Sequence, residues 1–61
     1  MISMVMSSTS ALALLGAGAI SAAVPLPDGR MRVHAFDEVA AALGRLDPDV
    51  DRAVALLVEE S

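Results

Sequence analysis

The sequence predicts a mainly α-helical chain with one N-terminal transmembrane helix followed by a short amphipathic helical hairpin. Two observations lead to this fold class. Residues 1–27 contain no charged side chain, whereas the remainder of the chain carries all of the Arg, Asp and Glu residues. That charged remainder contains two apolar stripes at helical spacing. The predicted segments are a transmembrane helix at 1–24, a turn, linker or strand at 25–35, and an acidic helical hairpin at 36–61.

Size and composition limit how this chain is stabilised. It has 61 residues, no cysteine and one histidine. A core of that size is marginal unless a disulfide, a metal, a bilayer or a partner supports it. The absence of cysteine excludes disulfides and thiolate chemistry, and one histidine without companion ligands argues against structural zinc. We therefore expect no cofactor, metal or small-molecule substrate, and look to a bilayer or a partner.

The N-terminal segment is long enough to cross a membrane. As one helix, Ile2–Val24 reaches about 34 Å at roughly 1.5 Å per residue, against a hydrocarbon core of about 30 Å. Arg30 and Arg32 follow the segment and nothing basic precedes it, which predicts a single-pass protein with a cytoplasmic C terminus. A cleaved signal peptide is disfavoured because Met1–Ser10 has no basic residue.

Small side chains recur along one side of this predicted helix. In a bilayer such residues let two helix backbones approach closely. We therefore expect the segment to pack on a larger membrane protein or on another copy of the chain. Composition alone is the alternative explanation, since alanine and serine are frequent throughout. The predicted packing face consists of Ser3, Ser7, Ser10, Ala17 and Ser21, with Gly18 and Ala22 beside them.

A second interpretation excludes the first and gives a small α+β fold with a β-hairpin at 19–35 and two C-terminal helices. Ala19–Val24 and Arg30–Phe36 are its two strands, joined by a turn at Pro25–Gly29. Asp-Gly favours a tight reversal, and Gly29 supplies the positive φ that such a turn needs. Pro25 suits a helix end and a turn equally, so it does not decide between the two interpretations.

The second arm of this hairpin alternates as a half-buried strand does. Its apolar residues would face one way, and Arg30, Arg32 and His34 the other. A strand with outward basic residues followed by two helices is the order found in dimeric β-ribbon DNA-binding proteins. These three residues therefore form the alternative nucleic-acid face.

Two amphipathic helices are predicted in the charged part of the chain. Asp37 is the expected N-cap of the first helix and Gly44 its stop signal. Asp47 would cap the second helix, which runs from about Pro48 to Glu60. Two short helices bury too little apolar surface to be stable alone, so their stripes should also contact a partner. This tail interface consists of Phe36, Val39, Leu43, Leu46, Val50, Val54 and Leu57.

No residue pattern supports a catalytic or metal site, so the sequence predicts a non-enzymatic protein. Asp47, Asp49 and Asp51 alternate like the start of an EF-hand loop, but Arg52 and Val58 occupy the positions that need glycine and glutamate. Helix capping explains the three carboxylates. His34 has no companion acid or nucleophile at a useful spacing, and the glycines at 16 and 18 do not make a dinucleotide fingerprint.

Two functions follow from the two folds. The favoured one is a small single-pass membrane accessory subunit that packs on a larger integral membrane partner. The alternative is a soluble, cytoplasmic, dimeric DNA-binding regulator or antitoxin of the strand–helix–helix type. One feature counts against the alternative, because Asp47, Asp49 and Asp51 would repel a phosphate from the start of the second helix.

Overall fold

The computed structural model describes residues 1–60 and contains three strands and three helices within them. The strands form one antiparallel sheet in the order β1-β3-β2. In chain order the elements are β1 (Ile2–Ser7), α1 (Ser8–Gly16), β2 (Ile20–Pro25), β3 (Arg30–Ala35), α2 (Asp37–Leu46) and α3 (Val50–Glu60).

The predicted mainly α class and the transmembrane helix at 1–24 are wrong. A strand, a helix and a second strand occupy those residues. Within residues 1–60 no helix combines the length and the apolar character needed to cross a membrane. The longest helix has 11 residues and spans about 16 Å, roughly half of the hydrocarbon thickness. The uncharged segment instead forms the two edge strands of the sheet and the helix that connects them.

The first strand, helix and second strand form a split β-α-β unit. β1 and β2 each pair antiparallel with β3, so they run parallel to each other with β3 between them. Parallel strands need a crossover, and α1 supplies it by packing across all three strands. β3 is therefore the central strand, and β1 and β2 are the two edges.

The α+β alternative and its hairpin match the structure. The Gly29 N–H donates to the Leu26 carbonyl over 3.1 Å, and the Leu26 N–H donates to the Arg30 carbonyl over 2.8 Å. Gly29 has φ +86°, a left-handed conformation that glycine adopts without steric cost. Pro27 occupies a turn position that its fixed φ favours. The first strand of the hairpin, β2, begins at Ile20, one residue later than predicted, and is interrupted by a bulge between Ile20 and Ala22.

The end of α1 is fixed by a glycine. Gly18 has φ +73°, the Gly18 N–H donates to the Leu15 carbonyl over 3.1 Å, and the Ala19 N–H donates to the Leu14 carbonyl over 3.0 Å. This pair of hydrogen bonds is a Schellman motif. The motif ends the helix and turns the chain into β2, which is why no continuous helix forms from residue 2 to 24.

A single core lies between the sheet and the helices. Strand residues at alternate positions point toward it, and α1 and α3 pack against the same side of the sheet. The two C-terminal helices pack together and contribute buried side chains to this core, so they are not a separate tail. The buried hydrophobic residues are Met6, Ala11, Leu14, Ile20, Val33, Ala35, Leu43, Ala53 and Val54.

The C-terminal helices differ from the prediction at three points. Phe36, not Asp37, is the N-cap of α2, and the Asp37 carboxylate instead lies 3.0 Å from the Met1 amino group. Gly44 lies inside α2, which continues to Leu46. α3 begins at Val50, two residues after the predicted start at Pro48.

Candidate nucleic-acid interface

One face of the sheet is covered by helices and the other carries no described element. We call the uncovered side the open face. Most of its side chains are exposed, with Val5, Ser7 and His34 half-buried. Register places them in three rows. The open face consists of Arg30, Arg32 and His34 on β3, Ser3, Val5 and Ser7 on β1, and Ala22 and Val24 on β2.

The long side chains of the open face all stand on its central strand. Alternate residues of a strand lie about 6.6 Å apart, so the row from Arg30 to His34 extends for about 13 Å. The flanking positions carry only serine, alanine and valine. We call the row of Arg30, Arg32 and His34 the basic ridge. Because the side chains on both sides of it are shorter, the ridge protrudes from the sheet, which suits insertion into a groove better than contact with a flat surface.

The two arginines of the ridge remain available as donors. The Arg32 Nη1 lies 3.4 Å from the Ser3 Oγ, and the Arg30 Nη2 lies 3.5 Å from the Val5 carbonyl. Both contacts are long and exposed. Neither arginine belongs to an ion pair within residues 1–60. Each guanidinium therefore keeps most of its five N–H donors free for an external acceptor.

The acidic residues lie mostly away from this ridge, even though the net charge of the chain is −4. Asp28 lies in the hairpin turn, where its Oδ1 accepts from the Arg30 backbone N–H over 3.0 Å. The remaining seven acids belong to α2, α3 and the segment that joins them. The fold thus puts Arg30 and Arg32 on the open face and most of the acids, together with Arg45 and Arg52, in the helical layer.

Asp51 is the acid that reaches closest to the ridge from the helical layer. Its Oδ1 accepts from the Ser7 backbone N–H over 2.9 Å. That hydrogen bond is the main reason why the pKa of Asp51 is lowered. Desolvation opposes it as the second-largest effect, and the Ser10 and Ser7 hydroxyls and the charge of Arg30 lower the pKa further. Asp51 offsets part of the Arg30 charge, so Arg32 and His34 are the freer members of the row.

The carboxylates that precede α3 bind backbone amides. The Asp47 Oδ1 accepts from the Asp49 N–H over 2.8 Å, and the Asp49 Oδ1 accepts from the Asp51 N–H over 3.0 Å and from Arg52 N–H over 3.5 Å. Asp49 therefore caps α3, as an N-terminal carboxylate does. The Asp47 carboxylate also lies 3.5 Å from the Arg52 Nε. Asp49, and not the predicted Asp47, is thus the capping residue, while the Asp51 carboxylate binds the Ser7 N–H.

The small residues predicted as a helix-packing face do not share a helix. Ser3 lies on β1, and Ser7 is the N-cap of α1, with its Oγ accepting from the Ser10 N–H over 3.2 Å. Ala17 is the C-cap of α1 and Gly18 follows it. Ser21 and Ala22 belong to β2. The stripe therefore arises from spacing alone, and its members cap, turn or line a sheet.

The residues predicted as a tail interface mostly enter the core. Leu43 and Val54 are buried, and Val39, Leu46, Val50 and Leu57 pack against the buried cluster. Phe36 is 40% exposed and stands at the start of α2. Docking of this stripe on a partner stays an untested prediction, and its internal packing explains the apolar pattern.

His34 lies beside Ser3 of β1, a neighbour that the sequence did not indicate. Ser3 is its cross-strand partner on β1. Within residues 1–60 no hydrogen bond joins the two side chains and no carboxylate binds the imidazole, while the Ser21 Oγ donates to the His34 carbonyl over 3.2 Å. A nucleophile needs a hydrogen-bonded base that a third group orients. The pair therefore does not form a catalytic dyad in this geometry.

Comparison with known proteins identifies no relative. No protein-family model, curated protein or solved structure matched the chain.

Proposed function

We propose that this chain is a small non-enzymatic DNA-binding regulator, of the regulator or antitoxin class, that places its open face in the major groove of duplex DNA. The observation that carries the proposal is the basic ridge on the central strand. Arginine binds the guanine O6 and N7 atoms in bidentate geometry and also binds phosphate oxygens, and histidine adds a further polar contact.

The dimensions of the sheet fit this mode of binding. Strands in a sheet lie about 4.8 Å apart, so β1 and β2 are about 10 Å from each other, and the major groove of B-DNA is about 12 Å wide. Two-stranded β-ribbons and sheets are known to bind there. Because the open-face side chains of β1 and β2 are short, the basic ridge can approach the base edges without collision with the groove walls.

The charge distribution supports the same orientation. Phosphate attraction dominates nonspecific affinity, so a protein with a net negative charge must present its basic side and keep its acids away. The helical layer, which carries most of the carboxylates, faces away from DNA in this arrangement. Asp47 and Asp49 bind backbone N–H groups at the start of α3, Asp51 binds the Ser7 N–H, and none of the three has to contact the groove.

The test is a fluorescence anisotropy titration of a labelled 20-base-pair duplex. The chain should bind mixed-sequence DNA in 50 mM salt with a dissociation constant of about 10⁻⁴ to 10⁻⁶ M, the usual range for nonspecific contacts. The double variant Arg30→Gln/Arg32→Gln should weaken binding at least tenfold. It should also make the negative slope of log K against log salt shallower by about 2, because two phosphate contacts are lost.

Arg45→Gln is the control, since it removes one arginine charge from the exposed surface of α2, away from the open face. It should change affinity by less than about twofold. Absence of binding by the wild-type chain, or an equal loss in the control and in the double variant, would exclude the open face as a DNA-binding surface.

A further inference from the structure

The hydrogen-bonding direction of each strand follows from the hairpin turn. The Leu26 N–H bonds to the Arg30 carbonyl, so Arg30, Arg32 and His34 direct their backbone groups toward β2. Because direction alternates along a strand, Met31 and Val33 direct theirs toward β1. The bonding partners of Met31 and Val33 on β1 are Met6 and Met4. The intervening residues Ser3, Val5 and Ser7 therefore direct their N–H and C=O groups away from the sheet.

Two side-chain contacts agree with this assignment. The Ser7 N–H donates to the Asp51 carboxylate and the Val5 carbonyl accepts from the Arg30 guanidinium, so neither group is used in the β1–β3 ladder. By the same alternation the Ser3 and Val5 N–H groups lie outside the β1–β3 ladder, and no side-chain or loop hydrogen bond within residues 1–60 engages them. The outer edge of β1 thus presents a free N–H at two alternate residues and a Val5 carbonyl whose one contact, to Arg30, is a long 3.5 Å, and α3 occupies the edge at Ser7.

The two edges of the sheet differ in how well they resist pairing. β2 contains Pro25, which has no N–H, and a bulge near Ser21. Both features are devices that blunt an edge strand. β1 pairs in continuous register from Ile2 to Ser7 and contains no proline, glycine or charge. An uncharged, regular edge strand is a template for another strand.

We propose that the edge of β1 pairs antiparallel with β1 of a second copy of this chain to form a homodimer with a continuous six-stranded sheet. The occupant is indicated by self-complementarity. With Met4 on the two-fold axis, Ser3 of each copy faces Val5 of the other, and each such pair exchanges two hydrogen bonds. Four bonds form, and the Ser7 amide stays with Asp51. No charge on β1 repels the second strand.

This inference goes beyond the proposed function and does not rest on it. Directly opposed residues point to the same side of a sheet, so the open faces of both copies join. The two β3 strands are then three strand spacings apart, about 14 Å. The dimer presents two basic ridges related by two-fold symmetry. Its six strands span about 24 Å, about twice the width of the major groove, so the groove insertion proposed above belongs to the unpaired chain.

The pairing is tested without nucleic acid, so it succeeds or fails separately from DNA binding. Light scattering after size-exclusion chromatography should give twice the 6.2 kDa chain mass at about 100 µM. N-methylation of the Val5 amide, which chemical synthesis of so short a chain allows, removes one edge donor without altering the side chain. It should shift the dimer toward monomer at least tenfold in dissociation constant, as should Val5→Pro.

Ala23→Pro is the matched control, because Ala23 directs its N–H toward the free edge of β2 by the same alternation. It should leave the dimer intact, and circular dichroism confirms that each variant is folded. A monomeric wild-type chain at 100 µM would overturn the proposal. Dimerisation that survives Val5 N-methylation in a folded chain, or that Ala23→Pro abolishes, would overturn it too.

The register has its own test because the chain contains no cysteine. Met4→Cys places one thiol on the two-fold axis, at a non-hydrogen-bonded pair whose Cα separation of about 4.5 Å is within the range for a disulfide. It should oxidise to a covalent dimer faster than Ser3→Cys, whose thiols are offset from each other. Equal rates would contradict the proposed register.

Discussion

Asp51 links two parts of the chain that are distant in sequence. Its carboxylate, in the first turn of α3, accepts the Ser7 N–H across a separation of 44 residues. Ser7 is itself the N-cap of α1 and binds Ser10. One side chain therefore fixes the start of α1, the end of β1 and the position of α3 relative to both.

The lowered pKa of Asp51 makes stability depend on pH. A carboxyl group with a lower pKa in the folded state binds fewer protons there than in the unfolded chain. Its contribution is therefore complete above the unfolded pKa and is lost as pH falls through the folded value. We expect Asp51→Asn to cost about 1 kcal/mol at pH 7, measured as the free energy of urea unfolding.

The pH series provides the control for this prediction. Between pH 7 and pH 3 the wild-type and Asp51→Asn curves should converge, because protonation removes the charge that the variant lacks. Asp28→Asn removes a carboxylate of the exposed hairpin turn and leaves the Ser7 contact in place, so it is the control for the loss of a negative charge. Curves for Asp51→Asn that stay parallel to the wild type across this range would show that the Ser7 contact does not depend on charge.

β1 shows why the sequence predicts a helix where the structure has a strand. Ile2, Met4 and Met6 alternate with Ser3 and Ser7, which is the period of a strand. Val5 breaks the alternation, because it is an apolar residue on the open face. β1 is followed directly by α1, and no charged residue between them marks where the strand ends and the helix begins. The uncharged run is therefore compatible with one long helix as long as its distant pairing partners are not considered.

Gly18 decides where α1 ends, and its replacement tests that role. A Cβ added at Gly18 would have no neighbouring atom within 4 Å, so only the φ of +73° opposes a side chain there. Gly18→Ala should therefore lower the free energy of unfolding by about 1 kcal/mol, the cost of a left-handed conformation for an L-residue. Urea unfolding followed by circular dichroism measures this.

Gly16→Ala is the matched control, since a Cβ at Gly16 would also meet open space but the residue has no positive φ. It lies in α1, where alanine is favoured over glycine by up to about 1 kcal/mol. The two substitutions should change stability in opposite directions. A change of the same sign would contradict the Schellman motif as the reason for the helix end.

The basic row on β3 was predicted from alternation, but its setting was not. The sequence placed Arg30, Arg32 and His34 on one side of a strand in a two-stranded hairpin. The structure adds β1 on the other side and makes β3 central. A central strand cannot serve as the edge of a ribbon, so the proposed contact uses a face of the sheet.

The molecule as a whole is held together by one core that all six elements share. Leu43 of α2 is fully buried, whereas Leu56 of α3 is 40% exposed. Leu43→Ala should destabilise the fold by about 2 kcal/mol or more through lost burial and a residual cavity. Leu56→Ala should cost less than about 0.5 kcal/mol.

Thermal unfolding of Leu43→Ala measures whether the helices are integral to the sheet. The chain contains no tryptophan or tyrosine, so far-ultraviolet circular dichroism and amide exchange are the probes. Strand and helix signals should disappear in one transition at a lower temperature than in the wild type. Loss of α2 and α3 with retention of the sheet would instead show that the C-terminal helices form an independent unit.

Several features were determined by the sequence alone. Local chemistry placed the hairpin turn at Gly29, the outward row on β3, the two C-terminal helices and a capping carboxylate before α3, although the cap is Asp49 and not the predicted Asp47. Each depends on residues within a few positions of one another, where backbone preference and side-chain period act directly.

Only the tertiary structure decided what the first 24 residues form and how the sheet is ordered. The pairing of β1 with β3 joins residues about 30 positions apart, and the Asp51 contact joins residues 44 apart. An apolar segment loses its exposure to water equally well in a bilayer, in a helix bundle or in a sheet. The choice among these three structures depends on hydrogen-bonding partners that are distant in the sequence, and no local pattern specifies those partners.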